Sequence, residues 1–295
     1  VSIVGPSPSQ VLDRTPDTGI RQKGTGRGIR SLLVFAALAY VGVLVLAPLG
    51  GIIWYGVRAG LKNLTTTYSQ ADVLHAFLLT GIITLITIAV TSVMGVIVAL
   101  VITRDRFPGR RLLSGIVDLP LAVSPIIVGL MALLLFGRGG WFEPWFSSRG
   151  IQILFALPSM VLVTIFISIA FVIREVAPVL EELGTEEEQA AWTLGASRLK
   201  TFFKVTLPNI RWALLYGIAL STARAIGEIG AVLIVSGSIQ GHTETATLYI
   251  LRAFEERQEA QGYVVALGLA AISILLLLGI EVFKSRQDRQ REGTE

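Results

Sequence analysis

Cysteine is absent from the 295 residues, and histidine occurs only at His75 and His242. That excludes disulfide frameworks, thiolate metal sites, iron–sulfur clusters and cysteine nucleophiles, and it leaves too few imidazoles for a histidine-rich metal centre. Charge is scarce too: Asp, Glu, Lys and Arg make up 16% of the chain, against roughly 25% in an average soluble protein. No Gly-x-x-x-x-Gly-Lys-Ser/Thr run occurs, so the chain does not cradle nucleotide phosphates by itself. His-Glu-x-x-His and Gly-x-Ser-x-Gly are missing as well. The expectation is a chain with no catalytic site, no metal site and no cofactor of its own. What is plentiful is apolar, with 53% hydrophobic residues. So few charges cannot cover such a core in water, whereas a chain whose flank faces lipid needs no such cover.

A helix rises about 1.5 Å per residue and the hydrocarbon slab is about 30 Å thick, so a span needs roughly 20 residues nearly free of charge. Six stretches meet this: 31–57, 77–103, 112–137 with Asp118 near its start, 150–173, 212–236 interrupted by Arg224 and Glu228, and 262–280. They are too long and too unalternating for barrel strands, and in lipid the backbone must bond within the segment, so they read as α-helices. Pro48, Pro120, Pro125 and Pro158 lie in or at the ends of these runs, where packed membrane helices tolerate kinks.

Lys and Arg in the flanks set orientation. Eighteen fall on the side that holds both termini and the loops after the second and fourth runs, and six on the other. Both termini are therefore expected in the cytoplasm, and the net charge of +4 is a topology signal rather than a sign of nucleic-acid binding. Residues 1–30, rich in Pro, Ser, Thr and Gly without periodicity, read as a disordered cytoplasmic tail. Residues 31–283 read as one six-span domain, and 284–295 as a cytoplasmic tail.

The connection 174–211 is long for a loop, and its pattern is helical. Thr185 followed three residues later by Glu188 writes a capping box, and Glu186, Glu187 and Glu188 suit the positive end of a helix dipole. Ala190, Ala191 and Leu194 offer a small apolar face that Gly195 interrupts. A second amphipathic stretch, Leu199, Phe202 and Phe203 with Lys200 and Lys204 opposite, is expected to end at Pro208. Holding spans together does not require such a unit, and its natural use is to dock another protein.

Gln189-Ala190-Ala191, three residues, Gly195, nine residues, Val205, one residue, Leu207-Pro208 resembles the Glu-Ala-Ala loop of ABC-importer permeases at every spacing. Gln189 departs from it, standing where the family has Glu, directly after Glu186, Glu187 and Glu188. The likeness extends through Asp118-Leu119-Pro120-Leu121-Ala122-Val123-Ser124-Pro125, residues 150–158, Thr206 to Gly217 and Ala223-Arg224-Ala225-Ile226-Gly227-Glu228. Over roughly residues 31–285 the chain is similar to bacterial sulfate/thiosulfate permeases, most closely the W-type subunit, with part of the likeness shared by molybdate and tungstate permeases. The resemblance implies an all-α membrane protein with six transmembrane helices and a cytoplasmic coupling hairpin after the fourth span. Glu188, Gln189, Ala190, Ala191, Gly195, Leu207 and Pro208 would then couple it to ATP-binding subunits, two per assembly. It further implies a second, T-type permease, an external substrate-binding protein, ATP held by the partner subunit, and residence in the bacterial inner membrane. An ATP-independent secondary anion transporter is the rival from another class, but such a protein has no use for the hairpin.

Arg224 and Glu228 are spaced i, i+4, on one helical face inside the fifth run. Each costs roughly 2.5 to 3.5 kcal/mol at the centre of a lipid-facing helix, so both are expected to face inward. Two readings stay open: an ion pair that fixes packing, or Arg224 as a transient partner for a crossing dianion. Asp118 would repel an anion and is expected at the cytoplasmic rim. Trp141, Phe142, Trp145 and Phe146 suit an interfacial belt, and 240–261 suits a short outer helix with Leu248, Leu251 and Phe254 on one face.

Overall fold

The computed structural model describes residues 27–58 and 60–292, and among these all regular structure is helical. The expectation for the N-terminal tail lies outside the described residues up to 26, while 27–30 already belong to the first helix. In order the helices are α1 (Arg27–Arg58), α2 (Gly60–Tyr68), α3 (Ala71–Arg104), α4 (Arg110–Ala122), α5 (Pro125–Phe136) and α6 (Glu143–Ser147). There follow α7 (Leu157–Leu183), α8 (Glu186–Thr193), α9 (Arg198–Thr201), a π-helical turn (Phe202–Thr206), α10 (Leu207–Ile226), α11 (Gly230–Ser236), α12 (Ala246–Glu255) and α13 (Glu259–Glu292). The chain divides into two units at Gly50, so that α1 belongs to the first up to that residue. The rest concerns the second unit, residues 51–295.

Four helices are long and apolar enough to cross a membrane: Ser31–Arg58 within α1, α3, α7 and Glu259–Leu276 within α13. The count reaches six when α4 with α5, and Arg198–Ile226 with α11, are each taken as one bent span. The first pair departs from the single helix expected over 112–137, since it bends by 113°. Pro125 explains the break. Its ring disfavours helical geometry at the residue before it, and Val123 and Ser124 are indeed extended, with ψ of 136° and 137°. Pro125 then opens α5 at a position where its missing N–H costs nothing. The fourth run is displaced: α7 starts at Leu157 and continues ten residues beyond the expected end, so 174–183 are helix rather than connection.

α3 and α7 pack along each other and α10 packs on both. Two glycines set the closeness. A Cβ at Gly95 of α3 would sit 2.7 Å from Val172 Cγ1, and one at Gly217 of α10 would sit 2.9 Å from Val172 Cα. Such small residues let membrane helices approach where hydrophobic burial alone gives little drive. Around this crossing lies an apolar cluster of Val96, Ala99, Ile102, Val176, Leu180 and Ile210. A second cluster, with Ile83, Met160, Ile167, Val232 and Leu248, ties in α5, α11 and α12. α3 also buries Thr80, Thr84, Thr87 and Thr91 along one face, and Thr91 shares a 3.3 Å hydrogen bond with Ser221 of α10.

Candidate functional site

The hairpin is built by its caps. α8 ends in a Schellman arrangement, in which the Ala196 N–H donates to the Ala191 carbonyl at 3.0 Å and the Gly195 N–H to Trp192 at 2.9 Å. Gly195 has φ of +83°, a conformation that side chains with a Cβ rarely adopt, and open space surrounds it. Its role is backbone freedom, not close packing. Ser197 restarts the helix, its side chain accepting from the Lys200 N–H.

Pro208 does not end the second stretch, contrary to the sequence expectation. Residues Arg198–Ile226 run on as one helical rod through the π-helical turn, where the Leu207 N–H reaches back to the Phe202 carbonyl. The wider turn accommodates a residue that has no N–H to give, and Pro208 sits in the first turn of α10. Leu207 is half-buried against the cluster around Val176 and Ile210, whereas Pro208 is exposed.

Gln189 and Ala190 are exposed and Ala191 is half-buried. The apolar surface of the hairpin is larger than its alanines suggest. Leu194 is 88% exposed and Leu199 73%, with Phe203 and Trp192 also outward. The capping box is not formed. Thr185 makes no side-chain cap bond, and its Oγ1 instead accepts from Gln189 Nε2 at 2.8 Å. Glu188, meant for that box, turns inward and meets Arg104, the last residue of α3, with 3.2 Å between Nε and Oε2. A pairing across 84 residues outbids the local one. Arg104 was not legible as a site residue, since its only sequence signal is a cation at the end of an apolar run.

Arg224 and Glu228 do meet, with Nη1 2.7 Å from Oε2, but they do not share a helix. α10 stops at Ile226 and α11 starts at Gly230, bent by 54°, so Glu228 lies in the break. Its second oxygen accepts from the Ala231 N–H at 2.9 Å, satisfying an orphan donor at the start of α11. Its backbone carbonyl accepts from Thr247 Oγ1 at 2.9 Å, which joins α12 to the break. The Glu228 side chain is 2% exposed and that of Arg224 28%. Thr80, Thr164, Thr245 and Thr247 line a small cavity beside the carboxylate.

Asp118 pairs with Arg174 at 3.0 Å, and both side chains are about half exposed. Trp141, Phe142 and Trp145 are exposed, with the Arg149 guanidinium 4.1 Å above the Trp145 ring. α12 buries Ala246, Leu248, Tyr249 and Ala253, a face that shares only Leu248 with the stripe of Leu248, Leu251 and Phe254, and Phe254 is partly exposed. The outer segment is instead locked by a pair that spacing did not reveal. Arg252 donates two bonds, of 2.7 and 3.0 Å, to the buried Glu244 carboxylate. Hydrogen bonding to Glu244 raises the Arg252 pKa further, and burial pushes the Tyr249 phenol up. Among the described residues no His, Cys, Asp and Glu group has the makings of a metal site.

A family model described as the binding-protein-dependent transport system inner membrane component matches residues 91–291. The sulfate transport system permease protein CysW of Synechococcus elongatus is 42% identical over 258 residues, covering 88% of this chain and 90% of its own. CysW of Escherichia coli K12 is 41% identical, over 85% of this chain and 87% of its own. The CysT permease of the same organism is 34% identical, over 89% and 95%. Among solved structures, a chain of a bacterial alginate ABC transporter in complex with its alginate-bound periplasmic protein superposes with a TM-score of 0.73 at 17% identity, covering 88% of this chain and 96% of that one. At that identity the likeness concerns the fold.

Proposed function

The chain belongs to the family of binding-protein-dependent transport system inner membrane components, and from that membership we propose that it is one of two permease subunits of an ATP-driven sulfate importer. As a family member with several apolar helices, it is a multi-pass inner-membrane protein. The observation that carries the rest is the hairpin, which holds Leu194, Leu199 and Phe203 out in the open on a backbone shaped by two caps. An apolar surface displayed on a capped helical hairpin beside basic flanks fits an ATP-binding subunit. Residues 188–208 then act as the coupling surface, and ATP stays on the partner.

In this reading both termini and the hairpin are cytoplasmic, as the distribution of Lys and Arg favours. The second permease is T-type, and a binding protein delivers the anion from outside. Closure of the ATPase pair draws the hairpins together and biases a two-state equilibrium of the pore, and nucleotide supplies the differential affinity. Sulfate is favoured over molybdate by relatives that carry the sulfate name at 41–42% identity along most of the chain. The test of the substrate is competition in the reconstituted importer. A tenfold excess of thiosulfate is expected to suppress labelled sulfate uptake at least fivefold, and the same excess of molybdate to leave it within twofold. The reverse order would reassign the substrate.

A further inference from the structure

Apolar packing anchors the hairpin only at its second limb, where Phe202 and Leu207 lie against the cluster around Val176 and Ile210. The single buried residue of α8 is Glu188 and that of α9 is Thr201, while the large apolar side chains Leu194 and Leu199 point outward. The first helix of the hairpin, α8, is tied to the spans through one polar node. The Arg104 guanidinium, at the end of α3, donates through Nη1 to the Leu180 carbonyl of α7 at 3.0 Å. Through Nη2 it donates to Glu188 Oε1 at 3.2 Å. Thr206, the last residue of the π-helical turn, donates to the same oxygen at 2.9 Å. Beside it, Asn209 Nδ2 donates to Glu187 Oε2 at 2.6 Å. α3, α7, α8 and the entry to α10 thus converge on one carboxylate and one guanidinium.

α3 and α7 are the two spans packed most extensively on each other; α7 leads into α8 through Gly184 and Thr185, whereas α3 has no chain connection to the hairpin. A force on the outward face of the hairpin reaches the end of α3 through this node alone among the described hydrogen bonds and ion pairs. Arginine suits the position because its planar fork holds a carboxylate on one side and leaves a donor for a carbonyl on the other, a division that a lysine ammonium does not reproduce. Paired and hydrogen-bonded, the two largely enclosed charges also fix a single geometry, so the link is stiff.

We propose that Arg104 and Glu188 are the positioning pair that carries hairpin displacement into α3, and so into the α3–α7 packing, acting on transport without touching nucleotide or anion. The proposal rests on the reading of the hairpin as the docking surface for an ATP-binding subunit. It assigns to Glu188 a partner within its own chain, leaving Gln189, Leu194 and Leu199 to face outward.

The test uses the complete importer in proteoliposomes and reads ATP hydrolysed per anion taken up, a ratio that a merely structural contact would not change. Arg104→Met combined with Glu188→Gln removes both charges while the amide still accepts from Thr206. This variant is expected to assemble and to consume at least tenfold more ATP per anion. Arg104→Lys retains the charge beside Glu188 but loses the bridge to Leu180, and is expected to raise the ratio about threefold. A wild-type ratio in the double variant would overturn the proposal. Should the double variant fail to assemble, Arg104→Lys decides, with a raised ratio in support and an unchanged one against. A wild-type importer that takes up sulfate without ATP would instead defeat the functional reading, and the proposal with it, so the two failures are distinguishable.

Discussion

Replacing Leu194 with Glu is expected to leave the chain inserted and folded while abolishing its co-elution with the ATP-binding subunit. Leu194 is 88% exposed, so its loss removes almost no contact within the chain. Substitutions at such surface positions usually change stability by no more than about 0.5 kcal/mol. In a docked complex the accounting is different. Full burial of a leucine side chain is worth about 1.5–3 kcal/mol, and a carboxylate in its place forfeits that and adds a desolvation cost. Together these amount to at least a hundredfold weaker association, since about 1.4 kcal/mol is a factor of ten. The readout is the amount of ATP-binding chain retained on tagged permease, with thermal stability of the permease in detergent as the control. Retention at the wild-type level would remove the docking surface from Leu194. Ala191 is the less clean probe, because it is half-buried and its carbonyl already holds the Ala196 N–H.

The second large effect concerns Arg224 and Glu228. Arg224→Leu alone leaves a carboxylate that is 2% exposed without its cation, and stranding one member of a buried pair costs about 3–5 kcal/mol. The single variant is expected to lose assembly. The compensating change must respect the second bond of Glu228, which holds the Ala231 N–H at the start of α11. Leucine would orphan that donor; glutamine keeps an acceptor without the charge. Arg224→Leu with Glu228→Gln is therefore expected to restore assembly and to bring sulfate uptake back to within threefold of wild type, a coupling measurable as a double-mutant cycle. Normal assembly and ATP hydrolysis with uptake still lost would place Arg224 on the anion pathway, where nothing would then offset desolvation of a dianion.

These two sites show what a linear reading reaches. Runs of apolar residues located the helices because lipid imposes the same length and backbone rule on every span, and the hairpin was legible because Gly195 and its flanking patterns act locally. The i, i+4 spacing puts Arg224 and Glu228 on one face of a single helix, yet they meet across a break at Gly227 and Glu228, which spacing does not report. The three-residue step from Thr185 to Glu188 points to a capping box, whereas the partner that Glu188 takes, Arg104, arrives from another span. Local rules rank only local competitors. The same limit hid Glu244 with Arg252, eight residues apart across a turn, and the face by which α12 packs. The break between α4 and α5 is different in kind. Pro125 was visible, but whether it kinks a helix or separates two depends on the extended geometry that Val123 and Ser124 adopt before it.

The most direct measurement is the nucleotide dependence of sulfate uptake. Proteoliposomes would hold this chain with a second permease and two ATP-binding subunits, with the binding protein added on the side opposite the hairpin and nucleotide enclosed on the hairpin side. Uptake is predicted to require enclosed ATP, to stop with a non-hydrolysable analogue, and to stop when the binding protein is left out. Equal uptake with no nucleotide enclosed, driven by an ion gradient alone, would contradict the account and make the chain a secondary transporter.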